Sequence, residues 1–496
     1  MGQTHPSTPA ERAQWAAMLL AHPGEYGMVT QLSREIQVSR QTLYTWRDQA
    51  GQALMAAFTP ALPPPTPVAR TTVRHILTLW INHASDRGIQ AGIAELLRQG
   101  LSLATITAVL HEAQQRAITW MQTHVPASTR ALALDEIYGH RRHGAYLNVV
   151  DVHSGAVWAS EGPLAVDTES WTLVLWSLQD RGLRWDRAVM DAGAPMHAAC
   201  QQVTPQVALQ LDQWHLWQEC AQVQGRLDRV VAQQTPVVAR QTARVAAGQR
   251  PKGRAAKTDL ATQAATLAAT QRVADGLRYL SAELHDLLAV VVVGADQLWS
   301  PAQRQAELDA LLALWDELAA TCPSRSRAEV QRLGRRIRAD LPALLAFVPH
   351  VAQVQQDLAG VLAPARQALL GWAWLRREAL AWTRDDILAA IPADWRDAAR
   401  VLLATWADAV RVSSAVERWH SILRPHLAVR RTLTTGMLAL LAVWHNHRVF
   451  PRGIHKGQSP LHLSGMTDAP TDWLVALGYP PVEAVMPSPL RLAHAA

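Results

Sequence analysis

The stretch from Arg130 to Gly162, RALALDEIYGHRRHGAYLNVVDVHSGAVWASEG, constrains the fold more than any other part of this 496-residue chain. Leu132, Leu134 and Ile137 fall in a strand pattern, and Asp135 interrupts it in the middle. Aspartate is depleted in strands, because a carboxylate taken out of water needs compensation. Two readings are open at this point. Either a bound cation or substrate offsets the cost, or the strand lies at a sheet edge where water solvates the acid. AYLNVVDV and AVWASEG then read as antiparallel strands joined by a tight turn at His153-Ser154-Gly155. The stretch predicts a three-strand meander with a carboxylate on its first strand.

The length allows about three domains, and no run of 18 or more apolar residues marks a transmembrane span. The start, MGQTHPSTPAERAQW, lacks the basic-then-apolar layout of a signal peptide. A soluble, cytoplasmic protein is the expectation. Cys200, Cys220 and Cys322 have neither zinc-ligand spacing nor an even count, which argues against a structural zinc site or a disulfide framework. The net charge of +6 is compatible with nucleic acid without requiring it. Only Lys252, Lys257 and Lys456 are lysines among 47 basic residues. A compositional bias of the genome explains that as readily as the bidentate fit of arginine to phosphate.

Residues 28–49, MVTQLSREIQVSRQTLYTWRDQ, read as two amphipathic helices around a break at Val38-Ser39. Ser39 caps the second, Leu43 and Trp46 face the first, and Arg40, Gln41, Tyr44 and Arg47 point outward. That is the pattern of a helix-turn-helix able to enter a major groove, although an ordinary helical hairpin looks the same. ALPPPTPVAR (61–70) is too rich in proline for a helix and predicts a semi-rigid spacer. Residues 87–121 repeat the earlier pattern, with Ser102 as N-cap of a second candidate recognition helix.

After the meander, TESWTLVLWSLQDRG predicts a helix ended by Gly182, and RAVMDAGAP a strand ending at Asp191. A short helix over 195–202 precedes QVALQLDQWH, a strand pattern ending at Asp212 and His215. From about Leu216 to Val410 the periodicity is helical, except for the short apolar run Leu288 to Val293. Arg240, Arg244, Arg250, Lys252, Arg254 and Lys257 occur there with no acid among them, around Gly248, Pro251 and Gly253. That composition predicts a basic loop, either solvated or touching phosphate. SSAVERWHSIL (413–423) predicts a helix closed by Arg424-Pro425, with Glu417, His420 and Arg424 on one face. Ser414-Ala-Val-Glu417 also matches a capping box, in which Glu417 would only return a hydrogen bond to the helix start. Another helix over 434–447 leads into the basic loop FPRGIHKGQSP.

Taken in order, these pieces resemble the DDE-type transposases of bacterial insertion sequences, which share the ribonuclease-H-like fold of retroviral integrases. The resemblance spans most of the chain. It rests on LALDEIYG with NVVDVHSGAVWAS, on VMDAGAP, on LDQWHLWQEC, and on SSAVERWHSILRPHLAVRRTLTTGMLALLAVWHNHRVFPRG followed by KGQSP. The implied fold is α/β, a mixed five-stranded sheet with helices, interrupted by a large all-α insertion and preceded by helix-turn-helix modules. Its implied boundaries are an N-terminal helix-turn-helix domain at 1–60, a proline-rich linker at 61–70 and a second such domain at 71–125. The catalytic core occupies 126–215 and 411–465 around a helical insertion at 216–410, with a tail at 466–496.

By position, the resemblance makes Asp135, Asp191 and Glu417 the catalytic, metal-holding acids. The gap between the last two is about four times that between the first two, as an insertion requires. Asp212-Gln-Trp-His215 looks like the Asp-x-x-His signature of insertion-bearing members. Asp212, His215 and His420 are therefore expected to support the site, with direct help from His215 left open. The implied cofactors are two Mg²⁺ or Mn²⁺ ions, since in-line displacement at phosphorus suits two metals about 3.5 to 4 Å apart. Asp135 would bridge both, while Asp191 and Glu417 hold one each. Three carboxylates drawn together without metal are expected to raise at least one pKa.

Expected partners are double-stranded DNA, as terminal inverted repeats and as target, and a second copy of the chain in a dimer or larger synaptic assembly. Arg40, Gln41, Tyr44, Arg47, Arg250, Lys252, Arg254 and Lys257 are candidate DNA contacts. So is a patch of Arg430, Arg431, Arg448, Arg452 and Lys456, and Arg141, Arg142 and His143 in the hairpin turn. The implied setting is a bacterial, nucleoid-associated protein. Two competing readings remain: a DNA-binding regulator or domesticated transposase whose core only scaffolds, and a metal-dependent nuclease acting on RNA–DNA hybrids. The second does not explain two helix-turn-helix modules.

Overall fold

A computed structural model describes residues 8–22, 28–58, 70–139, 144–250, 259–292, 297–357, 389, 392–397, 399–400, 409–452 and 455–481. Arg141, Arg142, His143, Lys252, Arg254 and Lys257 lie outside the described residues. The chain divides into two compact units, Met1–Val68 and Ala69–Ala496.

In the first unit, α1 (Pro9–Ala21), α2 (Met28–Ile36) and α3 (Arg40–Phe58) pack around Leu19, Leu32 and Leu43. Gln37 takes a positive φ at the break, and Ser39 Oγ accepts the Thr42 amide at 3.0 Å, so the cap forms as expected. Helix α1 adds a third wall that the hairpin pattern did not indicate, stacking Trp15 on Trp46 with ring centroids 5.9 Å apart. Arg40 and Gln41 are exposed. Tyr44 departs from the outward placement: it is buried, with the Arg47 guanidinium 5.0 Å from its ring centroid. Position 44 follows Leu43 on α3, and a phenol ring is apolar enough to extend the inward face by one residue.

The second unit begins with α4 (Arg70–Ile81), α5 (Asp86–Leu97) and α6 (Leu103–Thr123). Ser102 caps α6 as expected, its Oγ taking the Thr105 amide at 3.0 Å. Five strands follow: β1 (Ser128–Tyr138), β2 (Ala145–Asp151), β3 (Val157–Leu164), β4 (Arg184–Met190) and β5 (Ala208–Leu211). Helix α7 (Thr168–Asp180) separates β3 from β4, and α8 (Ala194–Val203) separates β4 from β5. The strands form one mixed sheet in the order β3-β2-β1-β4-β5, with β1 antiparallel to β2 and parallel to β4. The tight turn is where the sequence puts it, with Gly155 at φ +74°. The strand carrying Asp135 is central, not an edge. Residues Ala131 to Asp135 are buried in succession, which replaces the half-buried alternation with a strand covered on both faces.

Beyond β5, α9 (Gln213–Ala246) and α10 (Leu260–Leu287) lead to α11 (Pro301–Thr321) and α12 (Ser324–Leu344). Each helix packs on the next and α12 returns to α9, closing a four-helix bundle around Leu277, Trp315 and Ile337. Gly334 permits the close approach of α11 and α12: a Cβ there would stand 2.7 Å from the Trp315 ring. The apolar run after Leu288 supplies one strand, Val291–Val292, of a two-stranded ribbon.

The chain returns to the sheet through α13 (Ser414–Val429) and α14 (Thr435–His447), after an additional helix at Val348–Asp357. Helix α13 packs on β1 and β2, and α14 on β3 and α6. The expected stop at Arg424-Pro425 does not occur, and α13 runs four residues further. An internal proline costs about 3 kcal/mol. Leu423, His426 and Leu427, buried on the same side, offset that cost. Among the described residues, no helix is long and apolar enough to cross a membrane.

Candidate metal centre

The parallel register of β1 and β4 sets Leu134 beside Met190, so Asp135 and Asp191 are the next residues on adjacent strands. Asp135 is 6% exposed. Its Oδ1 accepts the Glu136 amide at 2.9 Å, which leaves Oδ2 toward α13. Asp191 turns back to accept the Gly193 amide at 2.9 Å, and a Cβ on Gly193 would press to 2.8 Å from that oxygen. Glycine at 193 keeps the carboxylate where it is.

Asp212 explains how a long insertion leaves the site assembled. It is not the end of a strand that continues to His215. It caps α9, its Oδ1 accepting the Trp214 amide at 2.7 Å, and His215 lies in the first turn of that helix. Its Oδ2 takes both the amide, at 3.0 Å, and the hydroxyl of Ser413. The Gln213 amide donates to the Arg411 carbonyl at 3.0 Å. One buried carboxylate thus clamps the start of the insertion to its end and fixes where α13 begins.

Glu417 sits in the first turn of α13. Neither Ser413 nor Ser414 makes a side-chain cap bond, so the capping box is not formed. Instead Glu417 Oε2 accepts from Arg424 Nη2 at 2.9 Å, and Oε1 lies 3.7 Å from His420 Nδ1. That nitrogen is also 3.8 Å from Asp135 Oδ2. Ligand atoms of Asp135, Glu417 and His420 all fall within 4.8 Å of one another, and so do those of Asp135, Asp191 and His215. Asp135 belongs to both groups. Either group could hold a metal ion.

The electrostatics follow from burial and from the crowding of carboxylates. The Asp135 carboxyl is pushed up to about 8, first by desolvation and then by repulsion from Asp191, Glu136 and Glu417. Glu136, half-buried beside it, rises to about 7, through burial and the charge of Asp191. The His420 imidazole is pushed down to about 4, mainly by burial, with Arg424 adding to it. At neutral pH the metal-free site therefore holds a neutral imidazole and at least one protonated carboxyl.

Sequence reasoning overlooked Glu136, Ser413 and the group behind His420: Asn148, Ser160 and Trp419. One signal was available, an asparagine inside the apolar run AYLNVVD. It stands directly across from Asp135 in the β1–β2 register.

Of the basic patch, Arg431, Arg448, Arg452 and Lys456 are exposed. Arg430 departs from it: its guanidinium is 4.9 Å from the Trp80 ring centroid and donates to the Ala84 carbonyl at 2.8 Å. An apolar stem and an aromatic face favour that inward position over solvent. Arg430→Ala should cost about 1–2 kcal/mol of stability in thermal melting. An unchanged melting temperature would return it to the exposed patch. Arg250 is exposed at the end of the turn after α9. Helix α6 has one side committed to α14, and its Arg116 stacks on Tyr479 and reaches the Leu477 carbonyl at 3.1 Å.

No protein-family model matches the chain, and no curated protein shows significant similarity to it.

Proposed function

We propose that the chain is a DNA transposase of the DDE type, its five-stranded sheet serving as a ribonuclease-H-like core. It would cleave at transposon ends and join the freed 3′-hydroxyls to target DNA. The observation that carries this reading is the convergence of Asp135, Asp191 and Glu417 from three distant parts of the chain, with Asp135 common to both candidate ligand groups. A scaffold has no use for such an arrangement, because a buried carboxylate lifted to about 8 is a cost unless a ligand offsets it.

The donor set fits Mg²⁺. It is rich in carboxylate oxygen, the preference of a hard cation that keeps positions open for water and phosphate. Asp135 would hold both ions, with Asp191 and Glu417 holding one each. When bound, such a pair supplies charge stabilisation to the attacking and leaving oxygens of an in-line displacement. Asp212 keeps Glu417 opposite Asp135, and Gly193 keeps Asp191 turned toward it. The exposed Arg431, Arg448, Arg452 and Lys456 follow the helix that carries Glu417 and supply a surface for DNA phosphates. Cleavage by water at the element end precedes attack by the 3′-hydroxyl, and no covalent link between protein and DNA is needed. Two ends must be brought together, which calls for at least two copies of the chain.

The test is Mg²⁺-dependent cleavage of DNA carrying the terminal repeats that flank this reading frame. Sequence-specific binding without cleavage would instead identify a regulator, and cleavage of any RNA–DNA hybrid a nuclease. A pH effect follows from Asp135. Below about 8 its carboxyl is protonated in the metal-free site, so a binding ion must expel the proton. Apparent Mg²⁺ affinity should therefore climb about tenfold per pH unit from pH 6 and level off near 8. An affinity flat over that range in isothermal titration would contradict the assignment of Asp135 as a ligand.

A further inference from the structure

Behind the metal centre, four buried side chains form a chain of hydrogen bonds that nothing in the proposed reaction uses directly. Asn148 Oδ1 receives Trp419 Nε1 at 2.9 Å and Ser160 Oγ at 2.8 Å. Its amide nitrogen donates to the Tyr146 carbonyl at 2.9 Å and faces His420 Nε2 at 3.1 Å. Asn148 and Trp419 are completely buried, and Ser160 and His420 nearly so.

The orientation of an asparagine amide follows from its partners, and here two of them leave no choice. An indole N–H can only donate, so the atom facing Trp419 must be oxygen. A backbone carbonyl can only accept, so the atom facing Tyr146 must be nitrogen. The same nitrogen meets His420 Nε2, which must then be the unprotonated, accepting atom of the ring. A neutral imidazole carries one proton, and it is left on Nδ1, which lies 3.7 Å from Glu417 Oε1 and 3.8 Å from Asp135 Oδ2.

We infer that His420 is a positioning residue, held by Asn148 as the neutral Nδ1–H tautomer, and that its N–H orients the Asp135 and Glu417 carboxylates without itself binding the ion. This rests on the reading of those carboxylates as metal ligands. To ligate through Nδ1 the ring would have to move its proton to Nε2 and set it against the Asn148 amide, two donors facing each other in a buried space. The network therefore excludes imidazole nitrogen from that side of the site. It leaves an oxygen set, which favours Mg²⁺ or Mn²⁺ over metals that prefer nitrogen. A histidine that fixes ligating carboxylates from behind is worth about 10- to 100-fold in metal affinity or activity.

The test begins with long-range ¹H–¹⁵N correlation spectra of histidine-labelled full-length protein, His420 being assigned by its loss in His420→Asn. The ring should carry its proton on Nδ1 in metal-free protein and keep it when Mg²⁺ alone is added. A ring protonated on Nε2, or one that loses its Nδ1 proton to Mg²⁺, overturns the inference. Variants give the second arm. His420→Asn places an amide donor near the Nδ1 position and should retain Mg²⁺ affinity within a few-fold. His420→Leu should lose about 10- to 100-fold. Equal losses in both would make the residue merely structural and overturn the inference as well. Wild-type protein that neither binds Mg²⁺ nor cleaves DNA would sink the functional reading, whereas the tautomer is read independently of either.

Discussion

Asp135→Asn should abolish DNA cleavage, by about 10³-fold or more, and at the same time raise the melting temperature. The first effect follows from Asp135 being the only acid in both candidate ligand groups. An amide loses the charge that would hold either ion. The second effect comes from the same burial. The carboxyl is lifted from 3.8 to about 8, so at pH 8 the unfolded chain keeps an ionised aspartate that the native site resists. A native pKa above the unfolded one contributes stability below the unfolded value and loses it as pH rises toward the native one. Asparagine has nothing to ionise, and its oxygen can still accept the Glu136 amide. Even half of that shift corresponds to about 3 kcal/mol at pH 8. The gain should shrink with falling pH and vanish near pH 4, in melting curves recorded with a chelator present. Asp191→Asn should lose cleavage as completely. An inactive Asp135→Asn that is also less stable at pH 8 would mean the aspartate serves the fold instead of an ion.

Much of this site was legible because sheets obey local rules. The strand around Leu132 and Leu134, the turn at His153-Ser154-Gly155 and the strand running up to Asp191 are short-range signals, and the parallel register of β1 and β4 brings Asp135 and Asp191 together. The alternation itself misleads, because β1 is covered on both faces. What the sequence left unreadable depended on contacts far apart in the chain. Ser413 meets Asp212 across the whole insertion, and no local pattern announces a partner at that distance. Pro425 reads as a helix end because its local cost is visible while the burial of Leu423, His426 and Leu427 is not. Tyr44 and Arg430 were misplaced for a related reason: amphipathic side chains have an apolar body and a polar tip, and only packing decides which is buried. The capping-box pattern at Ser414 is a local signal that loses to another contact within the same helix, since Arg424, two turns along α13, takes the carboxylate that the helix start would have used.

That competition makes Glu417→Gln the sharper test of the distant helix. If the residue only capped α13, its loss would cost about 1 kcal/mol of stability and nothing in catalysis. The cap bond is not formed, and the partner Arg424 is 57% exposed, so stability should stay within about 0.5 kcal/mol. Cleavage should fall by about 10²-fold or more, because an ion held between Asp135 and Glu417 would lose its second carboxylate. Glu136 provides the comparison. It is the other acid beside Asp135, half-buried and repelled by Asp191, yet it belongs to neither candidate group. Glu136→Gln should therefore keep most of the activity. The reverse outcome, an active Glu417→Gln with an inactive Glu136→Gln, would move the third ligand from α13 to β1. The clamp of Asp212 on Ser413 would then have no catalytic helix to place.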